Sequence, residues 1–219
     1  MRFDIHEQVF DDHGEYLEKK GMRYQERLVA LFERSPEGQA LLDKGVLLHW
    51  ADAMIDFGFG YLGVSPPDMS PRDLQEILFE LIPRQVCAAP EEAAVVIQEL
   101  RAFWAFLQRE FGLQNAAACF NVLDDRAARK LERAMGDPAN FGLAKSFVMM
   151  GEAFGFDMAT EEGSREWTDT YNAALIAGTG LRVPFPGEKS RSAQKARQKI
   201  KRHMQEASRK RNRPKKRKG

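Results

Sequence analysis

The chain has 219 residues, of which 43% are hydrophobic and 30% charged, and its formal net charge is +1. This length suits one sizeable hydrophobic core, and the longest apolar runs fall far short of the roughly 20 residues that cross a bilayer, which argues against a membrane protein. The charged N-terminus argues against export, and two cysteines are too few for a disulfide framework, so we expect an intracellular, cytoplasmic protein.

Apolar residues at helical spacing predict one or two helices over residues 6–34, with Gly21 as the candidate break. Ser35 and Pro36 are typical of a helix N-terminus, where serine caps the backbone and proline occupies the first turn. The short helix that they open is followed by a third helical segment over residues 46–57. The first quarter of the chain is therefore predicted to be helical.

The stretch GFGYLG, residues 58–63, fits the letters of the dinucleotide-binding motif G-x-G-x-x-G. That motif needs a strand before it and a helix N-terminus after it, so that backbone N–H groups meet the pyrophosphate. Here a helical pattern precedes the glycines and a Pro-Pro pair follows them. We therefore predict a loop over residues 58–69, with its glycines and aromatic residues packed on the body, rather than a nucleotide site.

Ser70 and Pro71 predict the start of the next helix, which we expect to end before Pro83. Pro90 opens the strongest amphipathic pattern, which stops at Gly112. Further helical segments are predicted over residues 114–135, 141–153 and 161–177. No alternating β-branched run is long enough to found a sheet. The predicted fold class is therefore all-α, a compact multi-helix domain.

His49, Asp52 and Asp56 share one face of the helix predicted over residues 46–57. A carboxylate pair beside a histidine can perform acid–base catalysis if another helix closes over it. The opposite face is apolar, however, which is typical of an ordinary amphipathic helix with its polar side in water. No His-Glu-x-x-His or Glu-x-x-His motif occurs in the sequence. We keep the three residues as a candidate polar face and predict no catalytic residue, metal or cofactor.

The span WADAMIDFGFGYLGVSPPDMSPRDLQEILFELIPRQV is followed by a proline-started helix that carries FWAFL, and together they cover roughly residues 50–112. With its Ser-Pro helix start and Pro-Arg exit, this span resembles a helical segment of uncharacterised bacterial proteins. That family has no assigned activity, so the resemblance implies no functional residue. It implies a bacterial, cytoplasmic setting.

The charges divide sharply along the chain. Residues 189–219 hold fifteen Lys or Arg and one acidic residue, for a net charge of +14. Residues 1–188 hold 18 basic and 31 acidic residues, for a net charge of −13. Glycines and prolines precede the basic run. We therefore predict an acidic all-helical domain over residues 1–177, a linker over 178–190, and a basic, partly disordered tail over 191–219 that becomes helical in part when bound.

Eight of the last eleven side chains, residues 209–219, carry a positive charge, and arginine suits phosphate because its guanidinium binds bidentately. Such a tail indicates binding to a nucleic acid. RNA or ribosomes are favoured over a specific DNA sequence, because no base-reading module is recognisable. The residues expected to contact phosphates are Lys199, Lys201, Arg202, Arg209, Lys210, Arg211, Arg213, Lys215, Lys216, Arg217 and Lys218.

Other interpretations stay open at this point. The acidic body could bind a protein partner while the tail only solubilises the chain, or the face with His49 could belong to an enzyme. Residues 214–218 also resemble a nuclear-localisation signal, which matters only in a eukaryotic source. A membrane-surface role is disfavoured, because Ile200 and Met204 are the only sizeable apolar anchors on the apolar stripe of the tail.

Overall fold

The computed structural model of the chain describes residues 3–176. Within that span every regular element is a helix, apart from one isolated antiparallel bridge that pairs Phe10 with Tyr16. The all-α fold class is therefore confirmed. The predicted linker, residues 178–190, and the predicted basic tail, residues 191–219, lie outside the described residues.

The chain divides into two compact units, Met1–Gly142 and Leu143–Gly219. The first unit contains the helices α1 Glu18–Glu33, α2 Pro36–Leu42, α3 Trp50–Phe57, α4 Pro71–Glu76, α5 Ile82–Gln85, α6 Ala93–Phe111, α7 Ala116–Val122 and α8 Asp125–Gly136. Short 3-10 turns at Pro90–Glu92 and Pro138–Asn140 flank α6 and α8. The second unit contains α9 Leu143–Ala153 and α10 Glu161–Ile176.

Local sequence signals set the starts of α2 and α4. Ser35 Oγ accepts a hydrogen bond from the backbone N–H of Gly38 at 3.1 Å, and Pro36 is the first helical residue. At α4, Ser70 Oγ accepts from the Asp73 N–H at 3.3 Å, while the Asp73 carboxylate accepts from the Ser70 N–H at 2.7 Å, which closes a capping box. Both helix starts predicted from Ser-Pro pairs are confirmed.

The prediction of helix from residue 6 onward is wrong, because α1 begins only at Glu18. The residues before it form turns. Asp11 Oδ1 accepts hydrogen bonds from the backbone N–H groups of His13 and Glu15, both at 2.8 Å, and Gly14 adopts a left-handed φ of 80°. An aspartate that satisfies nearby backbone donors in this way competes with helix formation.

Gly21 lies buried inside α1 and does not break it. A Cβ atom at this position would overlap the ring of Tyr16. The missing side chain therefore lets the N-terminal turns pack directly on α1. The Tyr16 ring also contacts Phe59, with ring centroids 5.4 Å apart, so the turns are held on the aromatic side of the core.

Two π-helical turns replace a predicted loop and a predicted helix end. Gly58–Leu62 continues α3 by one wide turn, so the loop predicted over residues 58–69 begins only at Gly63. Ile77–Leu81 joins α4 to α5, and Pro83 lies inside α5, so the predicted helix end before Pro83 is wrong. A proline ring clashes with the carbonyl one α-turn earlier, and the wider π turn relieves that clash.

The segment predicted as one helix over residues 114–135 is split into α7 and α8 by Asp124. Asp124 has extended backbone angles, and its Oδ1 accepts a hydrogen bond from the Ala127 N–H at 2.8 Å. An N-terminal cap of this kind satisfies a backbone donor that the new helix leaves unpaired. The predicted stop of α6 at Gly112 is confirmed, because this residue has a left-handed φ of 65°.

Helix α6 lies at the centre of the first unit and packs against α2, α3, α7 and α8. Its Leu100, Phe103, Trp104 and Leu107 side chains are fully buried. Phe103 meets Phe32 of α1 edge-on, with ring centroids 5.2 Å apart. Large aromatic side chains bury much apolar surface and gain further stability from this geometry, so α6 is a central contributor to the core.

The second unit has a small core of its own around Trp167. The Trp167 indole is fully buried, and its Nε1–H donates to the carbonyl oxygen of Phe147 at 2.9 Å. Phe154 stacks on the same indole, with ring centroids 5.5 Å apart. Gly151 of α9 allows this packing, because a Cβ there would lie 2.9 Å from the Trp167 ring.

We predict that Gly38→Ala destabilises the first unit by about 1 to 3 kcal/mol, because the added Cβ would overlap the carbonyl oxygen of Phe32, a backbone atom that cannot swing away. The matched control is Gly60→Ala, where a Cβ meets nothing within 4 Å. That change should leave stability unaltered or raise it by up to about 1 kcal/mol. Urea unfolding measures both variants, and equal effects would contradict the proposed packing at Gly38.

Candidate functional site

All of the residues predicted to contact phosphates belong to the C-terminal tail and lie outside the described residues. The set comprises Lys199, Lys201, Arg202, Arg209, Lys210, Arg211, Arg213, Lys215, Lys216, Arg217 and Lys218. The structure therefore gives no geometry for the tail. Within residues 3–176, the candidate sites are the predicted polar face on α3 and the charged surfaces of the first unit.

The predicted polar face lies where the sequence places it. His49 is the residue before α3, Asp52 and Asp56 lie on that helix, and all three side chains are exposed. Asp52 Oδ1 accepts a hydrogen bond from Gln25 Nε2 of α1 at 2.8 Å. The His49 ring packs on Trp50, with ring centroids 4.7 Å apart. The face is thus on one side of the helix, where α1 contacts it at Asp52 and α6 contacts the backbone of His49.

The exposure of His49, Asp52 and Asp56 leaves this face open to solvent in the described part of the chain. Two grooves of the first unit are lined by other residues, and neither of these grooves includes His49, Asp52 or Asp56. An acid–base pair works best where a second wall excludes water and holds the substrate. The open face of α3 has the form of the polar side of an amphipathic helix.

The carboxylate of Glu99 is the buried polar group beneath the start of α3. Glu99 lies on α6 with no exposed surface. Its Oε1 accepts from the Ala51 N–H at 2.8 Å, its Oε2 accepts from the His49 N–H at 3.3 Å, and the Trp50 N–H also contributes. His49 provides no side-chain cap of its own. Glu99 therefore caps α3 from another helix, where a negative charge also suits the helix dipole.

Two opposing effects set the ionisation of Glu99. Burial raises the pKa of its carboxyl above the ordinary value, because a desolvated charge is costly. The hydrogen bonds from the Ala51, His49 and Trp50 N–H groups and the charge of His49 oppose that rise. Burial has the larger effect. The group therefore binds its proton more tightly in the folded chain than in the unfolded chain.

The sequence analysis did not single out Glu99, although a signal was present. The amphipathic pattern that Pro90 opens places Leu100 and Trp104 on its apolar stripe, and Glu99 lies outside that stripe. Phe103 and Phe106 lie on the same side of the helix as Glu99, and both are buried. Successive residues of a helix are rotated by about 100° around its axis. The two phenylalanines therefore extend the buried surface of α6 past the apolar stripe to about half of the helix circumference, and Glu99 lies within that half.

An acid-rich surface surrounds two tyrosines of the first unit. The Tyr24 hydroxyl donates to the carbonyl oxygen of Ile5 at 2.8 Å. Burial raises the pKa of Tyr24 far above its ordinary value, and the negative charges of Asp68, Asp4 and Glu7 raise it further.

The second tyrosine, Tyr16, is affected in the same way. Burial raises its pKa, and the negative charges of Asp56 and Glu18 add to the rise. Asp56 of the predicted polar face thus belongs to an acidic surface that the N-terminal turns, α1, α3 and the loop after Gly63 build together. A surface of this sign suits a positively charged partner.

Basic residues dominate one face of α8, although residues 1–188 as a whole carry a net negative charge. We define the α8 stripe as Arg126, Arg129, Lys130 and Arg133, all of which are exposed. Their three- and four-residue spacing places them within about 100° of the helix circumference. The buried face of α8 carries Ala127, Leu131 and Met135 on the opposite side. No member of the stripe forms an ion pair with another residue among 3–176.

A groove of about 390 Å³ opens beside the α8 stripe. Arg126 and Lys130 line it, so the groove and the stripe share two residues. Phe79 contributes an apolar wall, and the Lys130 ammonium lies 3.7 Å from the centroid of its ring. Gln75 and Asn121 add exposed amide groups. The sequence analysis missed this surface, although the spacing Arg-x-x-Arg-Lys-x-x-Arg is visible at residues 126–133.

Comparisons with protein-family models, with curated proteins and with solved structures gave no match. Among residues 3–176 the structure shows no helix with the length and apolar character of a membrane span. In the same part of the chain, no group of three or more His, Cys, Asp or Glu side chains is placed to hold a metal ion. The candidate sites therefore rest on their own geometry.

We predict that Glu99→Gln changes how stability depends on pH. Because the folded pKa of Glu99 is raised, its contribution to stability is fully present below the ordinary glutamate value of 4.5 and is lost as the pH rises through the folded pKa. The wild type should therefore lose stability relative to Glu99→Gln as the pH rises from 4.5, as measured by urea unfolding at a series of pH values.

The control for this measurement is Glu91→Gln, an exposed glutamate at the start of the 3-10 turn before α6. Its pH profile should run parallel to that of the wild type. A parallel profile for Glu99→Gln as well would contradict the raised pKa. Glu99→Ala should destabilise the chain at every pH, by about 1 to 3 kcal/mol, because it leaves buried N–H groups at the start of α3 without an acceptor.

Proposed function

We propose that the protein is a non-enzymatic nucleic-acid-associated protein whose basic C-terminal tail binds the phosphate backbone. The observation that carries this proposal is the charge division of the chain, +14 over residues 189–219 against −13 over residues 1–188. A concentration of charge at one end has no role in building a helical core. It provides strong attraction to a polyanion, which dominates non-specific nucleic-acid affinity.

Structured RNA or ribosomes are the proposed partners rather than a specific DNA sequence. Contacts to phosphates position a protein on a nucleic acid and carry no sequence information, and the chain has no recognisable base-reading module. The open, unenclosed face with His49, Asp52 and Asp56 supports a non-enzymatic role. We propose a cytoplasmic location, as expected for an RNA or ribosome partner in a bacterium, with a nuclear one if the source is eukaryotic.

A second candidate function is a helical protein-interaction module. The acid-rich surface around Tyr16 and Tyr24 favours it, because the N-terminal turns, α1, α3 and the loop after Gly63 all place carboxylates near these two rings. A basic segment of a partner protein would complement the negative charge of this surface. In this alternative the tail only solubilises the chain, and its removal would leave partner binding intact.

We predict a steep salt dependence for RNA binding by the full chain. Each phosphate contact releases counterions and adds about 0.7 to 0.9 to the slope of log affinity against log salt. With roughly six to ten contacts, the slope should be on the order of −4 to −9 and nearly equal for unrelated sequences. Filter binding across a salt series measures it.

The decisive variant replaces each Lys and Arg from Arg209 to Lys218 by Gln. It should bind much more weakly and with a shallower slope. A slope near zero for the wild type, or binding that survives the loss of these charges, would reduce the tail to a solubilising end. A quick supporting measurement is whether RNA co-purifies with the protein. The ratio of absorbance at the RNA and protein maxima should then be raised, and it should fall after a high-salt wash.

We also predict that the acidic body competes with RNA for the tail. Opposite charges joined by a short linker raise the effective concentration for contact within one chain. A synthetic peptide of residues 189–219 should therefore bind RNA more tightly at low salt than the full chain does. The difference should shrink as salt screens the attraction. A peptide that binds no more tightly than the full chain would contradict this competition.

A further inference from the structure

The first unit carries a basic surface on α8, made of residues that do not belong to the tail sequence. We propose that the α8 stripe and the groove beside it bind a single-stranded nucleic-acid segment, with phosphates on the stripe and one unpaired base in the groove. This inference goes beyond the proposed function, because it assigns a second site to residues of the folded body. It can hold or fail independently of the tail.

The placement of the four charges supports a phosphate site. Arg126 and Lys130 are four residues apart, and so are Arg129 and Arg133, which puts neighbouring charges about 5 to 6 Å apart at their Cβ atoms. Like charges at this spacing repel each other and disfavour the helix. The burial of Leu131 and Met135 and the cap from Asp124 hold the helix in place despite that repulsion. An anion that lies across the stripe removes the repulsion.

The local electrostatics favour an anion along the stripe itself. Two acidic residues of α8, Asp125 and Glu132, lie on one flank of the helix, outside the arc of the stripe. Asp124 lines the groove, but its carboxylate accepts the Ala127 N–H and faces the helix N-terminus, which compensates its charge. The four basic side chains therefore present an uninterrupted positive strip to solvent.

The groove argues for a single strand rather than a duplex. Its volume of about 390 Å³ lies in the range of small-ligand sites, and a base can enter it only when that base is unpaired. Phe79 and Val122 supply apolar walls, while the exposed amides of Asn121 and Gln75 can hydrogen-bond a base edge. An acidic peptide would use the stripe but would leave these amide and apolar groups without a matching partner.

The test uses the full chain in four forms: wild type, the tail variant with Gln for every Lys and Arg from Arg209 to Lys218, the stripe variant, and both together. The stripe variant replaces Arg126, Arg129, Lys130 and Arg133 by Gln. Gln keeps helix propensity and removes repulsion, but it also removes the contact of Lys130 with Phe79, so this variant should unfold at a urea concentration close to that of the wild type. The matched control removes four exposed charges elsewhere, as Lys19→Gln, Lys20→Gln, Arg23→Gln and Lys44→Gln.

The probe is a fluorescent single-stranded RNA of about 16 nucleotides, the upper end of known single-strand site sizes. The stripe variant should bind it at least about tenfold more weakly at low salt, with a slope shallower by about 2 to 3, since each single-strand contact contributes about 0.7. In the tail variant the stripe should still support salt-dependent binding, which the combined variant should lose. The control variant should stay close to the wild type.

The outcomes separate the two proposals. If the tail variant binds like the wild type, the proposed function of the tail fails while the stripe can still stand. If the stripe variant binds like the wild type, or the control loses as much as the stripe variant, the stripe proposal is overturned. Polyglutamate of equal length that competes as well as the RNA would reassign the stripe to acidic proteins and would also overturn it.

The base-binding groove has its own test, in Asn121→Ala, which changes no charge. It should weaken single-stranded RNA by roughly threefold to tenfold, in line with the loss of one base contact, and leave the salt slope unchanged. A duplex of equal length should be unaffected by the change, because its bases stay paired. Equal loss for duplex and single strand, or no loss for either, would contradict a base in the groove.

Discussion

The packing of α6 through about half of its circumference is the constraint on which the rest of the first unit depends. Helices α2, α3, α7 and α8 all lie against it, and Phe103 and Trp104 fill the space between them. One polar group, Glu99, lies within this buried arc. Its carboxylate satisfies backbone donors at the start of α3, so the same helix that supplies the apolar core also fixes where α3 begins.

Sequence reasoning worked where structure is decided within a few residues. The capped starts at Ser35 and Ser70 and the left-handed stop at Gly112 involve only local contacts. It failed where a side chain or a distant element decides the outcome. The Asp11 turn ends the apparent N-terminal helix, and the π turn before Pro83 lets a helix continue past a proline. Neither effect is visible in apolar periodicity.

The candidate sites divide in the same way. The exposed face with His49 and Asp56 follows from simple amphipathicity and was predicted from the sequence. Glu99 was missed because a charged residue in a predicted helix is assumed to be exposed unless the apolar residues on the same side of the helix are considered. The α8 stripe was missed because the tail dominated the charge count, and because the Asp124 cap that begins a separate helix depends on backbone geometry.

The α8 stripe and the acid-rich surface also differ in how their like charges affect the stability of the fold. The carboxylates near Tyr16 and Tyr24 are spread over several elements, whereas the α8 stripe concentrates like charges on one helix. Each such pair at four-residue spacing disfavours the helix by about 0.2 to 0.5 kcal/mol, and Asp125 four residues before Arg129 and the contact of Lys130 with Phe79 offset part of this. Burial of Ala127, Leu131 and Met135 offsets this loss. A bound phosphate strand therefore gains the direct attraction and also the relief of a repulsion already present in the free protein.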